Sequence, residues 1–323
     1  VSAPYTPAAE VLTSTKGLTR ADWLAIRRQG IGGSDAAAIA GLDRWSSPLG
    51  VYYDKIGELA DSEDTEAMAW GRRLEPVLAA EFALRTGFKV WKRNAILRSR
   101  EHPFMLANLD GLVRDDNGRV GPVEYKTSTE RGAAAWRADE DELPDRVYCQ
   151  VQHYLAVTGC TFAWVAALLA GTEYRMVRVE RDDVAIAALV DLEDHFWDRV
   201  RTRNPPEADG SDATRRALTE VFKDSYPAAV ELPDDYGRLL EEWNALKGLE
   251  AGYKARREVI ENRFRQFLGE AEEGVLDGRT VVTWRSSLRT RVDVTALREK
   301  DPELAAQYEV TEPQRRLLVK APS

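Results

Sequence analysis

The stretch Leu109-Asp110-Gly111-Leu112 and, beyond the turn Asp116-Asn117-Gly118, the stretch Val123-Glu124-Tyr125-Lys126-Thr127 decide how this chain is read. Two short apolar-rich runs flanking an Asp-Asn-Gly turn have the pattern of adjacent strands. Such a strand-turn-strand can bring Asp110 and Glu124 to one point. Glu124 and Lys126 are two apart, so they share a face of the sheet, while the Tyr125 side chain faces the other way. Paired carboxylates suit a hard divalent cation such as Mg²⁺, which takes oxygen ligands and keeps several waters. The backbone carbonyl of Tyr125 is a further candidate ligand, and Lys126 can orient or help deprotonate an attacking water. Phosphodiester hydrolysis needs these parts, because a metal ion makes its bound water more acidic and neutralises phosphate charge. Taken alone, the pattern is common, and it fits a solvated hairpin with alternating polar residues as well.

Other stretches give the pair its company. Glu66 to Thr86 reads as a helix, with Leu74, Val77, Leu78, Phe82 and Leu84 supplying much of its apolar face. On it, Glu75 is either a third carboxylate facing the sheet or an ordinary surface glutamate. A helix from about Asp145 to Val157 carries Gln150, Gln152 and Tyr154. Gln150 and Tyr154 are four apart and share a face, which can point at a substrate strand or belong to a half-exposed helix with Val151 and Leu155 in the core. Near the N-terminus a helix starts at Thr19, with Asp22 three residues on in a capping-box pattern, and carries Trp23 and Arg27. Gly30-Ile31-Gly32-Gly33-Ser34-Asp35 breaks it; the Walker lysine is missing, so this is not a nucleotide-binding P-loop.

The order of elements is helices, a meander, one helix and two strands, Phe162 to Leu169 and Glu173 to Glu180, which implies an α/β arrangement around one mixed sheet. Residues 1–18, rich in Ala, Pro, Ser and Thr, read as a flexible N-terminus, 19–204 as the main domain and 205–323 as a helical and β-hairpin region. In that last region Asp234 to Leu268 is a long helix whose Leu239, Trp243, Leu246, Tyr253, Ile260, Phe264 and Phe267 lie near a three-four spacing. Glu250 and Arg257 interrupt the stripe, which favours a helical hairpin over an extended coiled coil. A β-hairpin from Val275 to Arg291 and a last strand, Arg315 to Val319, are expected to close the chain.

With 44% hydrophobic and 31% charged residues, the 323-residue chain has the composition of a soluble globular protein. It has no apolar run of the roughly 20 residues a membrane span needs, and no basic leader followed by an apolar stretch, so the cytoplasm is the expected compartment. A net charge of −9 argues against non-specific coating of DNA, since phosphate affinity comes largely from Lys and Arg. It leaves room for a local basic groove beside metal-binding carboxylates. Cys149 and Cys160 suggest neither a disulfide framework nor a zinc cluster, and His102, His153 and His195 are scattered.

Four stretches, Trp23 to Asp35, Ala69 to Glu75, Leu109 to Lys126, and Gln150-Val151-Gln152 with Tyr154, occur together in an order that resembles the YqaJ-like viral recombinase, or lambda exonuclease, family of PD-(D/E)XK nucleases. The resemblance covers roughly residues 20–180. It implies a restriction-endonuclease-like core, a central mixed sheet flanked by helices, here followed by a C-terminal helical hairpin and small β-hairpin region. By the family pattern Glu75, Asp110 and Glu124 are metal-binding carboxylates, Lys126 is the catalytic lysine, and Arg27 and Ser34 hold the 5′-phosphate of a DNA end. Arginine suits that task because its planar fork matches phosphate oxygens, and Gly32-Gly33-Ser34 offers backbone N–H groups at a helix start. One departure stands out: where the family carries an additional acid, this chain has Arg100 with Glu101 next to it, which leaves open whether one or two ions bind.

The implied activity is a Mg²⁺-dependent 5′-to-3′ exonuclease, with Mn²⁺ as a substitute, degrading one strand of linear double-stranded DNA from its ends. The implied setting is phage-type recombination in a bacterial host, by a phage- or prophage-encoded homo-oligomeric ring working with a single-strand annealing protein. An endonuclease of the same superfamily and a non-catalytic DNA-binding or assembly protein are the alternatives.

Overall fold

In the computed structural model, which describes residues 6–61, 64–136, 142–311 and 315–320, the chain divides into two units between Phe222 and Lys223. The first begins with strand β1 (Ala9–Ser14) and helices α1 (Arg20–Arg27), α2 (Gly33–Ile39), α3 (Pro48–Lys55) and α4 (Glu66–Thr86). Strands β2 (Lys89–Trp91), β3 (Ala95–Ser99), β4 (Leu106–Asn108), β5 (Gly111–Arg114) and β6 (Val120–Ser128) follow. Then come a single turn α5 (Glu130–Ala133), α6 (Asp145–Thr158), β7 (Phe162–Leu169), β8 (Glu173–Glu180), α7 (Asp183–Thr202) and α8 (Asp212–Val221).

The main sheet has the order β2-β5-β6-β7-β8, and a smaller one the order β1-β3-β4. In the main sheet only β6 and β7 run parallel, from Val123↔Trp164 to Ser128↔Leu169; the other neighbours are antiparallel. A parallel pair needs a crossover, and α6 supplies it. Gly121 to Tyr125 of β6 are buried, as expected of an interior strand covered on both faces. One face carries α4, whose Leu78 and Phe82 pack with Val113, Val123, Tyr125, Phe162 and Ala166. The opposite face carries α6, whose Val147, Val151 and Leu155 pack with Ala163, Val165 and Ala167. This is the mixed sheet flanked by helices that the sequence pattern implies.

Period-two alternation then sorts β6: Val123 and Tyr125 enter the α4 layer, and Glu124 and Lys126 face α6. Asp110 sits between β4 and β5, at the step where the chain leaves the small sheet for the main one. Helix α6 is fixed from behind by a fully buried pair, His153 Nδ1 to Glu193 Oε1 of α7 at 2.8 Å, with His153 Nε2 at 2.8 Å from the Leu106 carbonyl of β4. In front, α2 presses on α6 so closely that a Cβ on Gly33 would meet Tyr154 Cε1 at 2.6 Å and Gln150 Cγ at 3.0 Å. Only glycine allows that approach.

Several expectations are corrected. Ala9–Ser14 is not a loose tail but an edge strand, held by the cross-strand pair Glu10 and Arg98, whose Nε lies 2.9 Å from Glu10 Oε1. The first unit extends past residue 204 to Phe222, because α8 returns to α3; Leu218 and Val221 pack on the core that contains Leu49, Val51 and Tyr53. On α4, Val77 and Leu84 are exposed at 58% and 79%, so Leu78 and Phe82 carry its contact with the sheet. In the second unit there is one unbroken helix, α9 (Tyr236–Leu268), rather than a helical hairpin. Its sequence holds no proline or turn to reverse the chain. A hairpin of β9 (Glu273–Leu276) and β10 (Arg279–Thr283) turns at Asp277-Gly278 as expected but ends at Thr283. Short helices α10 (Val294–Lys300) and α11 (Pro302–Gln307) follow, and residues 315–320 form no strand.

Candidate active site

Two hollows meet at Asp110. A cleft of about 360 Å³ is lined by Trp23, Arg27, Gly32, Gly33, Ser34 and Met68 on one side, and by Asn108, Asp110, Glu124, Lys126, Gln150 and Tyr154 on the other. The second hollow has Glu75, Lys92, Asp110 and Tyr125 in its walls. Asp110 lines both.

Asp110 is held by its neighbour strand, its Oδ2 accepting from the Tyr125 backbone N–H at 2.9 Å. Burial first, and then the Glu124 charge with a smaller share from Glu75, pushes its carboxyl well above the usual carboxylate range. Glu124 is buried and uses one oxygen fully: Oε1 accepts from Gln150 Nε2 at 2.8 Å and lies 2.7 Å from Lys126 Nζ. Its other oxygen, Oε2, is buried with no hydrogen-bond partner among the described residues. Lys126 also donates to Gln150 Oε1 at 2.8 Å. Gln150 therefore clamps both members of the pair, and it is itself oriented by Tyr154, whose hydroxyl lies 2.9 Å from Gln150 Nε2. Burial, then Glu124 and Asp110, push the Tyr154 hydroxyl well above its usual pKa, so it stays protonated and faces the Asn108 carbonyl as a donor at 3.4 Å.

A buried, unpaired carboxylate oxygen beside a second, half-buried carboxylate is an excess of negative charge with an oxygen-only donor set. It fits a hard divalent cation. The third expected carboxylate is placed differently. Glu75 lies in the second hollow with Oε2 3.1 Å from Lys92 Nζ, and among the described residues no three His, Cys, Asp or Glu side chains gather as a ready cation cage. Asp110 thus shares the cleft with Glu124 and the second hollow with Glu75, and the charges of both act on it. Arg100 and Glu101 line neither hollow; Arg100 lies 3.8 Å from Glu10 in an ion pair.

In the same cleft, Arg27 Nη2 donates to Ser34 Oγ at 3.1 Å and to Asp35 Oδ1 at 3.0 Å. The guanidinium lies over the Trp23 ring, 4.8 Å from its centroid. The remaining oxygen of Asp35 accepts from Lys55 Nζ at 2.6 Å and from the Gly32 N–H at 2.9 Å. Burial alone would raise the Asp35 carboxyl, but the Lys55 and Arg27 charges outweigh it and hold the group far below the usual range. Asp35 and Lys55 are supports that sequence reasoning did not single out as site residues. Asp35 carried a signal, an acid at the third position of a helix whose N-cap is Gly32; Lys55, 20 residues on, carried none.

Gln152 is not brought to the cleft. It is fully buried, with Nε2 donating to the Glu180 carbonyl at 2.9 Å and Oε1 accepting from Asp182 N–H at 3.0 Å, so it ties α6 to the start of α7. The Tyr125 side chain lies in the α4 layer, as alternation requires. Cys149 and Cys160 are buried free thiols.

A sequence model of the YqaJ-like viral recombinase domain matches residues 22–161. The protein named "Uncharacterized protein YqaJ" of Bacillus subtilis (strain 168) is 32% identical over 301 residues, covering 92% of each chain. This chain belongs to the YqaJ-like viral recombinase family. Solved structures are more distant. An alkaline exonuclease, LHK-Exo, from Laribacter hongkongensis superposes with a TM-score of 0.47 at 20% identity, over 57% of this chain and 94% of that one. A phage-related exonuclease from Haemophilus somnus 129PT gives 0.40 at 13%, over 56% and 99%.

Proposed function

We propose that this protein is a divalent-metal-dependent deoxyribonuclease that removes nucleotides from the 5′ ends of linear double-stranded DNA, using Mg²⁺. Membership of the YqaJ-like viral recombinase family supports a nuclease acting on DNA. The observation that carries the finer reading is the single cleft joining Arg27 and Ser34 to Asp110, Glu124 and Lys126. A phosphate grip in the same cleft as a carboxylate pair with a lysine is what trimming from a terminus requires.

Asp110 and Glu124 would hold the cation, with the unpaired Glu124 Oε2 as one donor atom; Glu75, which lines the second hollow with Asp110, would be the third carboxylate. The ion supplies Lewis-acid neutralisation of the scissile phosphate and a more acidic water. Lys126 is fixed at one point by Glu124 Oε1 and Gln150 Oε1; its remaining ammonium hydrogen is free to orient the attacking water or the phosphate oxygen. Arg27, stacked on Trp23 and tethered to Asp35, presents its fork with the Ser34 hydroxyl to a terminal phosphate. Met68, half exposed in the same cleft, adds an apolar wall against which a base can lie. By the family reading the product is a 3′-ended single strand passed to a single-strand annealing protein, and the enzyme is a homo-oligomeric ring encoded by a phage or prophage.

The test is a linear duplex labelled separately at its 5′ and 3′ ends, digested with Mg²⁺. Early release of the 5′ label as a mononucleotide, with the 3′ label retained in long strands, is the expected result. Early release of the 3′ label contradicts the polarity. Cutting of covalently closed circles indicates an endonuclease, and no cleavage a DNA-binding or assembly protein.

A further inference from the structure

Among the buried polar residues of the first unit, His153 of α6 and Glu193 of α7 are fully enclosed, and they take no part in the chemistry proposed for the cleft. Their contacts dictate where the protons sit. His153 Nε2 is 2.8 Å from the Leu106 carbonyl oxygen, which only accepts, so Nε2 carries a hydrogen. Nδ1 is 2.8 Å from Glu193 Oε1. One further proton lies between these two atoms, because without it a lone pair would face a carboxylate in the interior. Imidazolium with carboxylate and imidazole with carboxylic acid are the two forms, and both are neutral as a pair.

The ring is gripped on two sides, and what it joins leads to the catalytic groups. Leu106 and Asn108 are two apart on β4, an edge strand of the smaller sheet, so their carbonyls point the same way. The Leu106 carbonyl accepts from His153, and the Asn108 carbonyl accepts from the hydroxyl of the next residue, Tyr154, at 3.4 Å. Two consecutive side chains of α6 thus pin two alternate carbonyls of β4. Two residues beyond Asn108 the chain reaches Asp110. Three residues before His153, Gln150 holds Glu124 and Lys126. The spacing of α6 from β4 is therefore the spacing of the Gln150 clamp from Asp110, and Glu193 fixes it from α7. Stability alone does not call for such a pair, since apolar residues of like volume commonly hold a fold as well. What the pair supplies is a direction and a distance.

We propose that His153 and Glu193 are positioning residues of the nuclease centre: the pair braces α6 against β4 and so sets the Gln150 clamp at its distance from Asp110. The inference rests on the nuclease reading of the cleft and extends it to two residues that line neither hollow.

Digestion of a 5′-phosphorylated linear duplex with Mg²⁺, beside urea unfolding of the same proteins, tests this. In H153L/E193L both ionisable groups leave together, so no charge is stranded, and the unfolding midpoint is expected to stay close to that of the wild type. Its kcat is expected to fall about 10-fold with KM little changed, the worth of one hydrogen bond to a charged group. Added to Q150L, the same two substitutions are expected to cost less than about 2-fold more, because both changes act through the clamp. E193Q, whose amide can donate to Nδ1 while Nε2 keeps Leu106, is expected to hold kcat within about 3-fold of the wild type. E193D, one carbon shorter, is expected to fall further than E193Q, and it takes the place of H153L/E193L in every comparison if that variant does not fold. An unchanged kcat in H153L/E193L, a loss that multiplies with that of Q150L, or E193Q no better than E193D overturns the inference and leaves the nuclease reading standing. A wild type that does not digest the duplex overturns both.

Discussion

Lys126 Nζ lies 2.7 Å from Glu124 Oε1, and Gln150 reaches both of them, donating to Glu124 Oε1 and accepting from Lys126 at 2.8 Å each. The three side chains form a closed triangle from two elements, β6 and α6. Gln150→Leu keeps the volume and removes both bonds, leaving Lys126 held by Glu124 alone. The expected outcome is a fall in kcat of about 10-fold, the worth of one charge-assisted hydrogen bond, with little change in KM. Steady-state digestion kinetics on linear duplex check it.

In the proposed function Arg27 grips the terminal phosphate of the substrate. Arg27→Ala is expected to erase the preference for 5′-phosphorylated over 5′-hydroxyl ends. The loss on phosphorylated ends is about 10- to 100-fold, the range for a hydrogen bond between charged groups. Competition between the two duplexes measures it. An unchanged preference would show that Arg27 does not recognise the end.

The Asp35–Lys55 pair beneath Arg27 is buried, with the Lys55 side chain fully so. Asp35 keeps Arg27 and the Gly32 N–H when Lys55 is removed, so Lys55→Met is expected to cost about 1.5–3 kcal/mol of stability, the worth of a hydrogen bond between charged groups, read by urea unfolding. Proton linkage gives a second readout. The folded Asp35 carboxyl is held below its unfolded value of about 3.9, so its contribution is fully present above that pH and is lost as pH falls toward the folded value. Unfolding free energy should therefore drop between about pH 4 and lower values, and drop less steeply in Asp35→Asn.

Gly33 marks where α2 meets α6. Gly33→Ala places a methyl 2.6 Å from Tyr154 Cε1 and 3.0 Å from Gln150 Cγ, and neither ring nor α6 backbone can yield without moving the triangle. A destabilisation of about 1–3 kcal/mol, together with a fall in kcat, is expected from thermal unfolding and digestion assays on the same preparation.

The core fold was legible because β6 and α6 carry strong local patterns: a turn at Asp116-Asn117-Gly118, alternation through Val123 and Tyr125, and a helical polar face at Gln150 and Tyr154. The relation between Glu124 and Lys126 follows from a spacing of two. What local pattern cannot carry is partner choice over long range. Gln150 and Gln152 look alike in sequence, yet one faces β6 and the other the start of α7, because α6 is packed on both sides. Lys55 joins the site through a contact 20 residues away with Asp35, and Glu75 turns to Lys92 across the second hollow. The strand at Ala9–Ser14 escaped notice because its order comes from pairing with β3, not from its own composition. On α9 the interrupting Glu250 and Arg257 suggested a broken stripe, whereas the helix continues through them.

The most direct measurement compares wild type with Lys126→Ala on a 5′-phosphorylated linear duplex, each with Mg²⁺ and with the ion chelated. The account predicts Mg²⁺-dependent digestion by the wild type, none on chelation, and a rate about 10²- to 10⁴-fold lower in the variant while DNA binding is kept. Equal rates in the two proteins, or wild-type digestion that survives chelation, would contradict it.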